Sequence, residues 1–338
     1  MINTTFQENP IFLCGNRKSG TTLLLNLLDS HPNLSVYPAD SGFFFKYYPL
    51  CETESYSDNK KIDEMIKTVI ASLETEFSKL STSEIESIGF NMDEFKNNFK
   101  ELAKKTDLTP KNMLISLQLA FQNNYKNSSN QKMWVEKTTS TEIYALDVFD
   151  WFPKAKFIHV IRDPRDNWGS LKSGWEKRYK KFNDSQERLL QSLIDRGKLG
   201  MEFAKHNQEF FGKDQYLLIK FEDLTSNPHQ ILEKICNFLK IPFDDILLTP
   251  TICGILWKGN NFDGKKFTSI SDTNVDRWKK RITEHEAKLI EYHFSAMMKF
   301  FDYKFAYDSK EQAKAAMEHY KWYNYAQPYS YTSTRNNR

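Results

Sequence analysis

The apolar positions of this chain fall in short runs separated by polar turns. Residues 11–14 (IFLC) are uninterrupted and closed by Gly15, the pattern of a buried strand. Residues 23–28 (LLLNLL) are apolar nearly all round, which predicts a helix packed inside an α/β layer. His31-Pro32 is expected to stop it, because the residue before a proline is pushed out of the helical region. LSVYP (34–38), KMWVE (132–136), KFIHVI (156–161) and YLLIKF (216–221) read as further strands. Asn227-Pro228 predicts a helix start, with Asn as N-cap and Pro at the first helical position. The helix HQILEKICNFLK then ends before Pro242. Short apolar strands alternating with helices predict an α/β fold whose central parallel sheet is covered on both faces.

Between 51 and 131 the texture changes to Lys, Asn, Ser and Glu, with helical periodicity in IDEMIKTVIASLETEF and MLISLQLAFQNNY. This stretch is expected to be a helical insertion or cap within a single domain spanning 1–338. From 306 to 338 the chain becomes polar and tyrosine-rich, a C-terminal extension whose aromatics are expected to dock in part on the body.

Composition narrows the class. With 40% hydrophobic residues the chain is globular, and 47 basic against 44 acidic residues leave a net charge of +3, too near neutral to point to nucleic acid or a membrane surface. No apolar stretch approaches a membrane span, and MINTTFQENP has no secretory pattern. Cys14, Cys51, Cys236 and Cys253 lie far apart without a C-x-x-C pair, so reduced thiols in a cytoplasmic protein are expected rather than a disulfide framework or a zinc site.

The candidate chemistry starts at CGNRKSGTT (14–22), between the first strand and the first helix. Counted from Gly15, it follows G-x-x-x-x-G-K-[ST] at Gly15, Gly20 and Thr22, but Thr21 stands in the lysine position and a lysine appears early, at Lys18. A glycine-bracketed strand-to-helix turn presents backbone N–H groups to an anion. The helix end alone supplies about 0.3–1 kcal/mol, so Arg17 and Lys18 must carry much of the binding, with Thr21 and Thr22 adding hydroxyl donors. A nucleoside-triphosphatase needs the missing lysine for the β- and γ-phosphates, so the loop suits a shorter anion without an essential metal.

A second element, IHVIRDPRDNWGSLKSGW, places Arg162 directly after a strand and Ser170 eight residues on. Arginine at a strand end faces the carboxyl edge of the sheet, where open α/β folds bind ligands. The bland reading is a charged turn with local Asp–Arg pairs.

GNRKSGTTLLLNLLDSHPNL, WVEKTT, FPKAKFIHVIRDPRDNWGSL and YLLIKFEDLTSNPHQILEKICNFLKIPF resemble the successive motifs of the sulfotransferases, in the branch of the bacterial and protein-tyrosine enzymes. The resemblance covers roughly 10–45, 130–175 and 215–245, and more weakly 257–282. It implies a three-layer P-loop-type α/β fold with 3′-phosphoadenosine 5′-phosphosulfate (PAPS) as sulfuryl donor, PAP as product and no metal. Arg17, Lys18, Ser19, Gly20, Thr21 and Thr22 would cradle the 5′-phosphosulfate; Arg162 and Ser170 would bind the 3′-phosphate. Lys18 replaces a common arginine and is the first candidate for the bridging oxygen. Lys137 is the second cation.

Cytosolic small-molecule sulfotransferases have a histidine two residues after that lysine; here it is Thr139, which removes a histidine base. In the other branch a glutamate follows the first helix by a short strand, and VYPADSGFFF puts Asp40 there. Asp40 could be the general base if burial raises its pKa toward neutrality. Glu136 is the reserve. Phe221 replaces a tyrosine whose hydroxyl can reach the donor, and Thr138-Thr139 replaces the common T-P. Lys258 or Arg277 could add charge, and Phe43, Phe44, Phe45, Tyr47 and Tyr48 could line an acceptor pocket. The acceptor is expected to be a small molecule or peptide bearing a hydroxyl or amine. The rival readings are a P-loop small-molecule kinase, against which Thr21 argues, and a PAP-binding module that has lost catalysis.

Overall fold

In the computed structural model of the chain, which describes residues 4–125, 131–181, 185–259, 262 and 269–326, the predicted strands pair as one sheet. They are β1 (Pro10–Cys14), β2 (Leu34–Val36), β3 (Met133–Lys137), β4 (Lys156–Ile161) and β5 (Tyr216–Lys220). The order is β2-β3-β1-β4-β5 and every neighbouring pair is parallel. This is the α/β class that the run pattern implies, with helices flanking the sheet.

β1 is buried along its whole length because it has a strand on each side. Leu13 sits opposite Lys137 of β3 and Ile158 of β4. Phe12 stacks on Phe157 with centroids 5.3 Å apart and meets Trp134 edge-on at 5.6 Å. Full burial of one such ring contributes about 1.5–3 kcal/mol, so this cluster anchors the sheet.

Two compact units divide the chain: 1–162 with 203–272, and 163–202 with 273–338. The first holds the sheet and the helices of the 51–131 stretch. Ser57, Ser81, Asn91 and Thr109 each cap the helix that follows, at Asp58–Glu64, Thr82–Ile88, Met92–Ala103 and Pro110–Asn124. Phe77, Phe90, Phe95 and Phe121 from this stretch belong to the same apolar cluster as Phe12 and Trp134. In the second unit the buried carboxylate of Glu291 accepts from Arg165 at 2.5 Å, from the backbone of Ala306 and Tyr307, and from Gln312. The extension thus forms the helix Ser309–Ala326, and the tail from 327 lies outside the described residues. Among the described residues no helix is long and apolar enough to cross a membrane.

Two local expectations change. The helix Thr21–Leu28 ends before His31-Pro32 is reached: Asp29 is extended and Ser30 has φ 68°. The cause is the Asp29 carboxylate, which is buried and accepts from Thr251 Oγ1 at 2.6 Å, Gly254 N–H at 2.9 Å and Ser30 Oγ at 3.1 Å. Asn227 occupies the N-cap of Pro228–Leu239, but its side chain makes no capping bond. Its ψ of 60° is outside the extended region from which a side chain reaches back to the first turn.

Replacing Asp29 by Ala leaves the Thr251 hydroxyl and Gly254 N–H without their acceptor. Urea unfolding should show a loss of about 1–3 kcal/mol.

Candidate functional site

Because all five strands are parallel, their carboxyl ends share one edge of the sheet, where open α/β folds bind ligands. Along that edge the order sets out Asp40 after β2, Lys137 at the end of β3, the loop 15–20 after β1, Arg162 after β4 and Phe221 after β5. Residues that are far apart in sequence are therefore neighbours by strand order.

The loop after β1 is tightly shaped. Gly15 has φ 135°, and a Cβ there would lie 2.3 Å from the Val160 carbonyl oxygen. Ser19 N–H donates to the Asn16 carbonyl at 3.1 Å, and Lys18 takes a left-handed φ of 66°. Gly20 has φ 101°, and a Cβ on it would meet the Phe221 ring at 2.3 Å. The helix Thr21–Leu28 begins immediately afterwards. Ser19 and Thr21 are buried, whereas Arg17, Lys18 and Thr22 are half-exposed. Lys18 Nζ lies 4.5 Å from the centre of the Phe262 ring.

Arg162 closes the other side of the loop. Its Nη1 donates to the Lys18 carbonyl at 2.8 Å and its guanidinium lies 4.2 Å from the centre of the Phe221 ring. Phe221 therefore packs against both Gly20 and Arg162. The rest of RDPRD has other partners within the second unit. Arg165 is paired with Asp163 at 2.6 Å and with Glu291, and Asp166 accepts from the backbone of Asp276 and Trp278, each at 2.7 Å. The local Asp–Arg pairing and the arginine at the sheet edge are thus both present, on different residues of one motif. Ser170 is half-buried on the helix Pro164–Ser173 of the second unit.

Lys137 is 4% exposed and its Nζ donates to Asp40 Oδ2 at 2.9 Å. Thr139, which stands where a histidine would be, donates to the same oxygen at 2.6 Å. The Asp40 side chain is 42% exposed, so the carboxylate is the open member of the group. Burial acts to raise its pKa, but the Lys137 charge and the Thr139 hydrogen bond outweigh it and hold the carboxyl below the usual aspartate range. The upward shift considered for Asp40 is found instead on Glu136. That side chain is wholly buried; its Oε1 accepts from Ser41 and, at 2.7 Å, from Thr138, and burial pushes its pKa up to about 7. Its Oε2 has no hydrogen-bond partner among the described residues.

Phe43, Phe44 and Tyr47 are fully buried and Tyr48 nearly so, because they pack into the aromatic cluster with Trp151 and Tyr144. Phe45 alone of the five is half-buried, with φ 80°. Lys258 is paired with Glu84 at 3.2 Å, and Arg277 Nη1 donates to Asn274 at 2.7 Å.

Behind the loop lies a polar cluster that the sequence did not announce. Glu142 Oε2 accepts from Gly15 N–H at 3.2 Å. Cys14, Glu142 and His159 bring ligand-type atoms within 4.8 Å of one another, all buried. Burial pushes Glu142 up to about 7 and His159 down to about 3. These residues come from β1, a turn and β4, and no spacing in the sequence links them.

The profile described as "Sulfotransferase family" matches residues 10–245. The sulfotransferase domain of the Synechococcus PCC 7002 olefin synthase aligns with 88% of this chain and 95% of its own at 18% identity and a TM-score of 0.51. The sulfotransferase domain from the curacin biosynthetic pathway aligns with 87% of this chain and 98% of its own, also at 18% identity, with a TM-score of 0.52. At that identity the likeness concerns the fold. No curated protein matches the chain significantly.

Two titrations follow from the site. Replacing Lys137 by Met removes the charge that holds Asp40 down and leaves burial, so the Asp40 pKa should rise; carboxyl-carbon NMR against pH would show it, and an unchanged value would remove Lys137 as the cause. Glu136 binds a proton more tightly when folded than when unfolded, so its contribution to stability falls as pH rises from the ordinary glutamate range through about 7. Glu136→Gln should therefore lose less stability than wild type in urea between pH 5 and 8.

Proposed function

Since the chain belongs to the sulfotransferase family, we propose that it moves a sulfuryl group from PAPS to a hydroxyl or amine acceptor by in-line displacement. The observation that carries this reading is the Asp40–Lys137 pair, with Lys137 at the end of β3, the strand beside the one that enters the loop, and Asp40 after β2. It offers an exposed carboxylate and a buried cation on the same sheet edge as an anion loop.

The loop fits the donor's phosphosulfate on steric and electrostatic grounds. Gly15 and Gly20 leave no space for a Cβ, which fixes the turn tightly between β1 and the helix that follows, and Arg17 and Lys18 stand half-exposed on it. Thr21, where a triphosphatase has its lysine, is buried and uncharged. In this reading residues 17–22 hold the 5′-phosphosulfate and Arg162 serves the 3′-phosphate; the assignment of Ser170 to the same phosphate rests on motif resemblance. The donor supplies an activated sulfuryl group, and magnesium has no part in the scheme.

Lys18 and Lys137 offset the negative charge that gathers on the peripheral and bridging oxygens. Asp40 takes the acceptor's proton. It is ionised in the free protein because Lys137 and Thr139 hold it so. Lys137 is shared, however: charge that it gives to an incoming anion is withdrawn from Asp40. Burial, which is outweighed in the free protein, then strengthens the hold of Asp40 on a proton. Glu136, enclosed by Ser41 and Thr138, supports the pair rather than facing an acceptor.

PAP should raise the melting temperature in EDTA, by the equivalent of about 2.7 kcal/mol at a hundred times its Kd. Lys18→Ala and Arg162→Ala should weaken that shift. Asp40→Asn should keep it while abolishing transfer of labelled sulfate from PAPS to a panel of alcohols, phenols, sugars and amines. No shift at millimolar PAP, or a magnesium-dependent shift with ATP instead, would overturn the reading in favour of a kinase. PAP binding without any labelled product would leave a binding module.

A further inference from the structure

Gly15 is the residue at which the loop leaves β1, and both of its backbone groups are taken by one turn. Its N–H donates to Glu142 Oε2 at 3.2 Å, and its carbonyl accepts from Ser140 N–H at 3.3 Å. That turn follows directly from Lys137 at the end of β3 and carries Thr139; these two residues hold Asp40. Glu142 is itself fixed. Its backbone carbonyl accepts from Asn207 Nδ2 at 2.8 Å, and Asn207 also donates to the Tyr216 hydroxyl at 3.3 Å. That hydroxyl lies 2.8 Å from His159 Nδ1 and 3.7 Å from Cys14 Sγ. A carboxyl that served only to fill space here would cost its hydration for nothing, because buried polar groups are tolerated when they satisfy a partner.

We propose that Glu142 is a positioning residue: it holds the entry of the anion loop through Gly15 N–H and so registers the loop against Lys137 and Asp40. The proposal rests on the reading that this loop holds the donor's phosphosulfate. Cys14, Glu142 and His159 could also be taken for metal ligands, but the geometry favours hydrogen bonding. Glu142 Oε2 is committed to Gly15 and His159 Nδ1 to Tyr216, while Glu142 Oε1 is buried with no hydrogen-bond partner among the described residues. Burial also pushes the Cys14 thiol well above its ordinary range, which disfavours the thiolate a metal needs.

The test uses the full chain with PAP as probe, by calorimetry in EDTA, and variants at one position. Glu142→Gln keeps an acceptor oxygen and should bind PAP within about threefold of wild type, whereas Glu142→Leu loses the bond and should bind about tenfold or more weakly. Glu142→Asp, one methylene shorter, should also weaken binding and serves if the Leu variant does not fold. Asp29→Ala lowers stability while leaving both Gly15 bonds, and its PAP affinity should change less than threefold, which separates positioning from general destabilisation. Where transfer is measurable, Glu142→Asp should lower kcat and leave the acceptor KM within about twofold. Folded Leu and Asp variants that bind PAP like wild type would overturn the proposal. So would a stoichiometric metal in the purified protein that Cys14→Ser removes. Exchange of the Gly15 amide needs no ligand and should accelerate at least tenfold in the Leu and Asp variants. If wild type fails to bind PAP, the functional reading falls, and this exchange rate still decides whether Glu142 holds the loop.

Discussion

The Val160 carbonyl comes so close to Gly15 that a single added carbon would stand 2.3 Å from it. That contact limits how the sheet edge can be built. It holds the exit of β1 against β4 with no side chain between them, and it leaves the backbone of Gly15 to bond sideways to the turn after β3. Three consecutive strands of the sheet, β3, β1 and β4, are thereby joined at one residue just past their ends. The loop's later features depend on that start: Lys18 turned left-handed, Arg162 on its carbonyl, and Gly20 under the Phe221 ring.

Charge is arranged along the same edge so that each ion has a partner before any ligand arrives. An ammonium as enclosed as that of Lys137 is costly without a counter-charge, and Asp40 supplies it from the neighbouring strand's exit. Arg165 is treated the same way in the second unit, between Asp163 and Glu291. The two pairs differ in one respect. Asp40 is open to solvent, so its pair can exchange partners, whereas Asp163 and Glu291 are enclosed and theirs is structural.

The strands, the sheet class and the two ends of the loop were legible because each rests on a local pattern: an apolar run, a glycine, a strand closed by an arginine. The place of Asp40 was legible through its motif. Its protonation was not, since whether burial or a neighbouring cation wins depends on a lysine 97 positions away. The Glu142 cluster was illegible for the same reason. Cys14, Glu142, His159, Asn207 and Tyr216 meet only because of strand order, and each looks unremarkable among its own neighbours. The end of the first helix at Leu28 belongs here too: the proline four residues on was readable, but the buried carboxylate of Asp29, satisfied from 251 and 254, was not.

The cysteines carry a practical consequence. Cys14, Cys51, Cys236 and Cys253 are all buried and unpaired, and burial raises every one of their thiol pKa values, two of them to about 11. Maleimide reagents act on exposed thiolates, so the folded chain offers them almost nothing. A cysteine introduced on the surface would be the one that reacts. The native chain is therefore a ready host for single-site fluorophores or spin labels, with no need to strip out its own thiols first.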